Sequence, residues 1–183
     1  ISLQRVLVGV PVNMLLTILV AYPLSRSQAE FRARGFFAWF FVITILFSGG
    51  LIPWYMVIRQ TGLIDKFWAL ILPGALPVFN VILLANSFRT IPKELEEAAA
   101  MDGAGHWTIL FRILLPMSLP VLATLTLFVA VSHWNQWFDG LILMNSPDKY
   151  PLQSYLQTVV VNPDPRMLTE RDLGLLKVIS NRT

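Results

Sequence analysis

Apolar and polar residues fall in long blocks along this chain. Four apolar runs stand out: about Val6 to Leu24, Phe36 to Ile58, Trp68 to Phe88 and Ile113 to Val131. Each comes close to the roughly 20 apolar residues that a helix needs to cross a bilayer. One long polar stretch, Arg89 to Arg112, separates the third run from the fourth. It carries Glu94, Glu96, Glu97 and Asp102. An acid at a bilayer centre costs roughly 2.5–3.5 kcal/mol, so this stretch belongs outside the membrane. The pattern predicts an all-α, polytopic transmembrane helical bundle with four spans visible. Residues 1–183 read as a single domain, with loop 89–112 projecting from it.

The projecting loop is itself helical in character. Pro92 suits a first helical position, where its missing N–H is no loss. Glu94, Glu96 and Glu97 come next in the first turns, where negative charge suits the helix dipole. Ala98, Ala99 and Ala100 are strong helix formers. Gly103 offers a stop, and Gly105 loosens the residues after it. A second helix is expected to start near Trp107 and run into the fourth apolar run. The small residues on the first helix leave its backbone open to close approach by another protein.

Several residues interrupt the apolar runs. Pro11 removes a backbone hydrogen bond from the first and is expected to kink it. Ser48, Gly49, Gly50 and Pro53 weaken the second, giving either close helix packing or a bend. Pro73, Gly74 and Pro77 crowd the start of the third, with Asn80 and Asn86 beyond them. Asn80 reads either as an interhelical hydrogen-bonding residue or as part of a translocation pathway. Pro116 and Pro120 are expected to make a rigid start to the fourth run.

Charge sets the topology. Arg26, Arg32 and Arg34 stand against Glu30 in the loop Ser25 to Gly35, which the positive-inside rule makes cytoplasmic. Two spans later, loop 89–112 falls on the same side. The short loop Arg59 to Phe67 falls on the other side, as does the SHWNQWFDG stretch at Ser132 to Gly140. There Trp134 and Trp137 serve as interfacial anchors. Aromatic rings beside Asn135 and Asp139 also suit contact with a sugar ring, so both readings stay open. Asn145 to Asp164 reads as an outside loop, with a short amphipathic helix over Leu152 to Val161. Leu168 to Ile179 reads as a further helix, and Asn181-Arg182-Thr183 fits a glycosylation sequon.

Composition narrows the class. With 55% hydrophobic and 14% charged residues, a soluble domain of this size could not cover its surface. The net charge of +3 is spread over loops, so no basic stripe points to nucleic acid. There is no cysteine, and His106 and His133 sit on opposite sides by the topology above, so no metal site or catalytic triad is expected. No P-loop motif is present. No residue is expected to be catalytic.

Glu97-Ala98-Ala99, then Gly103, then Ile113-Leu114-Leu115-Pro116 resembles the EAA loop of binding-protein-dependent ABC importer permeases. GLIDKFWALILP (Gly62 to Pro73), FRTIPKELEEAA (Phe88 to Ala99) and the pair Trp134-Asn135 are similar to the carbohydrate-type branch. The resemblance implies that loop 89–112 is a cytoplasmic coupling helix docking on an ABC ATPase subunit dimer, which holds the ATP and Mg. No cofactor is expected in this chain. Glu97 matches the motif glutamate; Ala98, Ala99 and Ala104 permit close docking, and Gly103 makes the turn. Leu95 and Met101 are expected to fill apolar pockets on the partner, with Asp102 beside them. A second permease subunit, forming a heterodimer, and an extracytoplasmic solute-binding protein are also implied, in the bacterial plasma membrane. The cargo is expected to be a sugar or oligosaccharide, with another small solute as the alternative. The absence of Asp or Glu from the four runs counts against an ion-coupled transporter. Six spans are usual in the family, so the first and last are expected to lie outside this sequence.

Overall fold

The computed structural model describes residues 1–161 and is helical throughout. The helix at Leu168 to Ile179 and the sequon at Asn181 lie outside the described residues. The first helix, α1, spans Ser2–Ser25. At about 1.5 Å per residue it is roughly 36 Å long, enough to cross a bilayer core. Pro11 and Pro23 lie inside it without interrupting it, so the expected kink does not break the helix. It also starts earlier than its apolar run, which brings Arg5 inside.

The other three runs are broken. Phe36 to Ile58 divides into α2 (Arg34–Leu46) and α3 (Leu51–Gln60), bent by 117°. Ser48, Gly49 and Gly50 occupy the gap, where helix propensity is lowest. Trp68 to Phe88 is not one span-length helix either. It opens with two 3₁₀ turns, Phe67–Leu70 and Leu72–Gly74, before α4 (Val78–Thr90) departs at 50°. Pro73 and Pro77 supply no N–H to continue an α-helix through that region.

The polar loop contains α5 (Lys93–Met101) and α6 (His106–Ile109). A π turn at Leu110–Leu114 leads into α7 (Leu115–Met117), and α8 (Leu119–Asn135) comes next. The expected continuous path into the fourth run is interrupted, because segments His106–Met117 and Leu119–Asn135 meet at 82°. Ser118 makes the corner with φ −96° and ψ 10°, between Pro116 and Pro120. Two missing N–H groups and a bridge-region residue explain the turn. Beyond α8 come α9 (Phe138–Leu143), a 3₁₀ turn at Pro147–Lys149 and α10 (Leu152–Leu156), continued as a π turn over Gln157–Val161. One described helix is long and apolar enough to cross a membrane, and up to four crossings exist if each bent pair is one span.

α1 packs between α4 and α8. Its buried residues Arg5, Gly9, Asn13, Thr17 and Ala21 recur every fourth position, which puts them on one face. Ala21 and Leu24 meet Val81, Leu84, Ala85 and Phe88 of α4, Leu125 and Val129 of α8, and Ile109, Leu110 and Leu114. A second cluster joins Ile58, Ala69, Leu70, Leu143 and Met144. No residue of α2 is buried, and Phe36, Trp39 and Leu46 are largely exposed.

Hydrogen bonds define the two ends. Arg89 Nη2 donates to the Leu24 carbonyl at 2.5 Å, so the loops after α1 and α4 share one end. At the other, Asp65 pairs with Lys149, and the Asp65 amide donates to the Leu143 carbonyl at 2.8 Å. The bent α2–α3 pair therefore still carries the chain from end to end.

Candidate functional site

The end holding α5 is built around its exit turn. Pro92 stands just before the helix with extended backbone (φ −56°, ψ 128°), one residue earlier than expected. Helix α5 ends in a Schellman turn: the Ala104 amide bonds to the Ala99 carbonyl at 2.9 Å, and the Gly103 amide to the Ala100 carbonyl at 3.0 Å. That turn needs a left-handed residue, and Gly103 has φ +83°.

The three glutamates of α5 have different surroundings. Glu96 forms an ion pair with Arg26, and both side chains are mostly shielded from solvent. The Arg26 guanidinium also lies 4.4 Å from the centroid of the Tyr22 ring, and Tyr22 Oη is 3.0 Å from Nδ1 of His106. These contacts tie α5 and α6 to the last turn of α1. In the intervening loop, the Ser27 amide donates to Glu30 at 3.0 Å and holds that carboxyl below its ordinary pKa. Glu97 is exposed. So are Glu94, Leu95, Ala98, Met101, Asp102 and Gly103. Ala99 and Ala104 pack against the core cluster. The small residues therefore divide between an outward face and an inward one.

At the other end, a cavity of about 640 Å³ opens among α1, α3, α4, α8 and α9. Arg5 is 1% exposed and Asp139 8%. Arg5 Nη2 donates to Asp139 Oδ2 at 2.9 Å, and its Nη1 donates to the Gln136 carbonyl at 3.2 Å. Asn13 Nδ2 donates to the Gly74 carbonyl at 3.3 Å. His133 packs on Gly9 so closely that a Cβ there would lie 2.7 Å from its Nε2. Asn80 and Asp139 both line this cavity. Trp134, Asn135 and Trp137 do not belong to its lining and are exposed.

Sequence reasoning misses the polar face of α1 and the tie between Arg26 and Glu96. Arg5 stands just ahead of an apolar run, outside the bounds that hydropathy gives it. The four-residue recurrence of Arg5, Gly9, Asn13 and Thr17 is the signal that could have found this face. No comparable signal separates Glu96 from Glu97.

The profile of one family, the binding-protein-dependent transport system inner membrane component, matches residues 3–164. The chain belongs to this family. Among relatives of this permease chain, the polygalacturonan/rhamnogalacturonan transport system permease protein YtcP of Bacillus subtilis is 43% identical over 161 residues. That match covers 88% of the chain and 56% of the relative. Protein LplC of the same organism is 41% identical, over 90% of the chain and 55% of the relative. This permease chain thus spans little more than half the length of those relatives. A solved chain from a bacterial ABC transporter involved in import of the acidic polysaccharide alginate superposes with TM-score 0.88 and 33% identity. That superposition covers 97% of this chain and 61% of the other.

Proposed function

We propose that the chain is part of the transmembrane subunit of an ATP-driven importer that translocates a sugar or oligosaccharide by alternating access. A solute-binding protein delivers the cargo outside, and a separate ATPase dimer holding ATP and Mg supplies the work. A second permease chain completes a heterodimer in the plasma membrane, which this chain crosses several times. The chain itself binds no nucleotide and performs no bond chemistry. The observation that carries this reading is the outward face of α5. Glu97, Leu95, Ala98 and Met101 lie exposed on a helix whose other face is tied to α1 through Glu96 and Arg26. Motion of a partner bound there would move α1 directly. Relatives named for polygalacturonan, maltodextrin and lactose transport support a saccharide cargo.

Co-purification of the full-length protein in mild detergent tests this, with wild type beside Gly103→Pro. Wild type is expected to retain an ATPase whose hydrolysis rises with delivered saccharide. The Gly103→Pro variant is expected to insert in the membrane yet lose that ATPase. Wild type without any associated ATPase would overturn the proposal.

A further inference from the structure

At the end of the molecule that holds α5, a narrow apolar groove of about 210 Å³ runs between α2 and α4. Arg34 opens α2 and Arg89 stands in the last turn of α4, and both line the groove. From Arg34 the wall steps along α2 through Ala38 to Val42, and from Arg89 it steps back along α4 through Ala85 to Ile82. Both steps follow helical spacing, so each helix lends one stripe to the wall. At about 1.5 Å per residue, the rise from Arg34 to Val42 is roughly 12 Å, close to the ~15 Å hydrocarbon depth of one leaflet. The groove is thus charged at its cytoplasmic mouth and apolar inward from there. Helix α2 buries no residue of its own, and the small side chains of Ala38 and Ala85 leave the space between the helices open. The two guanidiniums are near enough for their charges to repel. Arg89 donates to the Leu24 carbonyl and, through Nη1, to Asn86 Oδ1 at 3.2 Å, both neutral acceptors. No Asp or Glu lines the groove, and no ion pair joins either arginine to a carboxylate among the described residues. A second groove of equal volume shares Phe41 with the first, is walled by Leu19, Val20, Pro23 and Phe37, and holds no cation. Apolar surface of that kind takes any lipid; the arginine pair sets the first groove apart.

We infer that the groove between α2 and α4 is a site for one anionic glycerophospholipid of the cytoplasmic leaflet, its phosphate between Arg34 and Arg89 and one acyl chain along Ala38, Val42, Ile82 and Ala85. Charge complementarity selects that occupant. A phosphodiester brings the negative charge that the two facing cations lack, and its oxygens accept from guanidinium N–H groups. Basic pockets between spans on the cytoplasmic side attract lipid headgroups for this reason. A zwitterionic lipid would bring a further cation to the same mouth, and a free phosphate has nothing to place on the apolar wall. The seated lipid bridges α2 to α4 beside the Leu24 carbonyl, at the end from which α5 projects. The site depends on the membrane placement of the chain and is independent of the solute it carries.

Native mass spectrometry of the full-length protein, with the subunits that co-purify, tests this after delipidation in mild detergent. Dioleoyl phosphatidylglycerol and dioleoyl phosphatidylcholine are titrated in turn, and the Kd of the first bound lipid is read. Phosphatidylglycerol is expected to bind about tenfold more tightly or better. Arg34→Gln and Arg89→Gln should each weaken it about fivefold, the weight of one cation at an anionic leaflet, and leave phosphatidylcholine unchanged. Arg34 belongs to no ion pair among the described residues, so Arg34→Gln still decides the matter if Arg89→Gln loses its bond to the Leu24 carbonyl and misfolds. Ala38→Leu fills the groove without altering charge and should weaken phosphatidylglycerol by a similar factor. Arg32→Gln is the control, because Arg32 is exposed and outside the groove lining; its affinity should stay close to that of wild type. Equal losses from Arg32→Gln and Arg34→Gln would mean diffuse attraction to a basic surface and would overturn the site. Equal binding of the two lipids, or displacement of phosphatidylglycerol by millimolar inorganic phosphate, would overturn it as well. Undiminished affinity in both Arg34→Gln and Ala38→Leu would show the groove covered by another helix of the full-length protein or its partner subunit, and the site would again be refuted.

Discussion

The ion pair between Arg26 and Glu96 is the sharpest place to test how α5 is held. Removing either partner by alanine substitution takes away the ion pair and leaves the helix held through the Tyr22–His106 contact and the packing of Ala99 and Ala104. The side chains are 14% and 15% exposed, so the pair sits between the exposed and buried limits. Two unit charges near 4 Å gain about 4 kcal/mol at an effective dielectric constant of roughly 20. Desolvation and lost side-chain freedom offset much of that. A net coupling of about 1–2 kcal/mol remains, above the 0.2–1 kcal/mol typical of open surface pairs. Arg26 also lies over the Tyr22 ring, a contact worth about 0.5–1 kcal/mol. Arg26→Ala should therefore destabilise more than Glu96→Ala by about that amount. A double-mutant cycle on the full-length protein, read by denaturant titration in mixed micelles, measures both quantities. Because solvent reaches the pair poorly, raising salt to high concentration should change the coupling little. Single-mutant effects that add to within about 0.5 kcal/mol would refute the tie between α5 and α1.

Packing and charge give three further outcomes. Gly9→Ala should destabilise by about 1–3 kcal/mol through overlap with the His133 ring, and His133→Ala in the same chain should restore most of the lost thermal stability. Asp139→Ala should cost about 3–5 kcal/mol by leaving buried Arg5 without its counter-charge; the double variant Arg5→Met with Asp139→Leu should melt higher than Asp139→Ala alone. The hydrogen bond from Lys149, followed by the Asn145 amide, holds the Asp65 carboxyl below its ordinary range. Its stabilising effect is therefore present above about pH 4 and is lost as pH falls through the lowered folded value. The protection factor of the Asn145 amide, the free-chain exchange rate divided by its own at the same pH, should fall as the pH is lowered, and Asp65→Asn should show weakened protection at every pH.

Composition and block pattern alone determined that this is a helical membrane chain. Burying a peptide backbone in lipid demands internally satisfied hydrogen bonds, and acids stay out of the hydrocarbon, so run length and charge placement suffice. The α5 helix and its glycine turn were legible for a local reason. Proline, glutamate, alanine and glycine preferences act over a few residues, and Gly103 has the left-handed backbone its position calls for. The breaks were visible as proline and glycine clusters, but their angles were not. The 117°, 50° and 82° bends depend on which neighbouring surfaces each half packs against. The same holds for partners distant in the chain. Arg5 meets Asp139 and Arg26 meets Glu96 only because α1 lies between α4 and α8, with both loops folded over its ends. Whether a glutamate faces its own bundle or away from it is a matter of helix phase. Glu96 and Glu97 differ by about 100° of rotation, and only tertiary packing sets where that rotation starts.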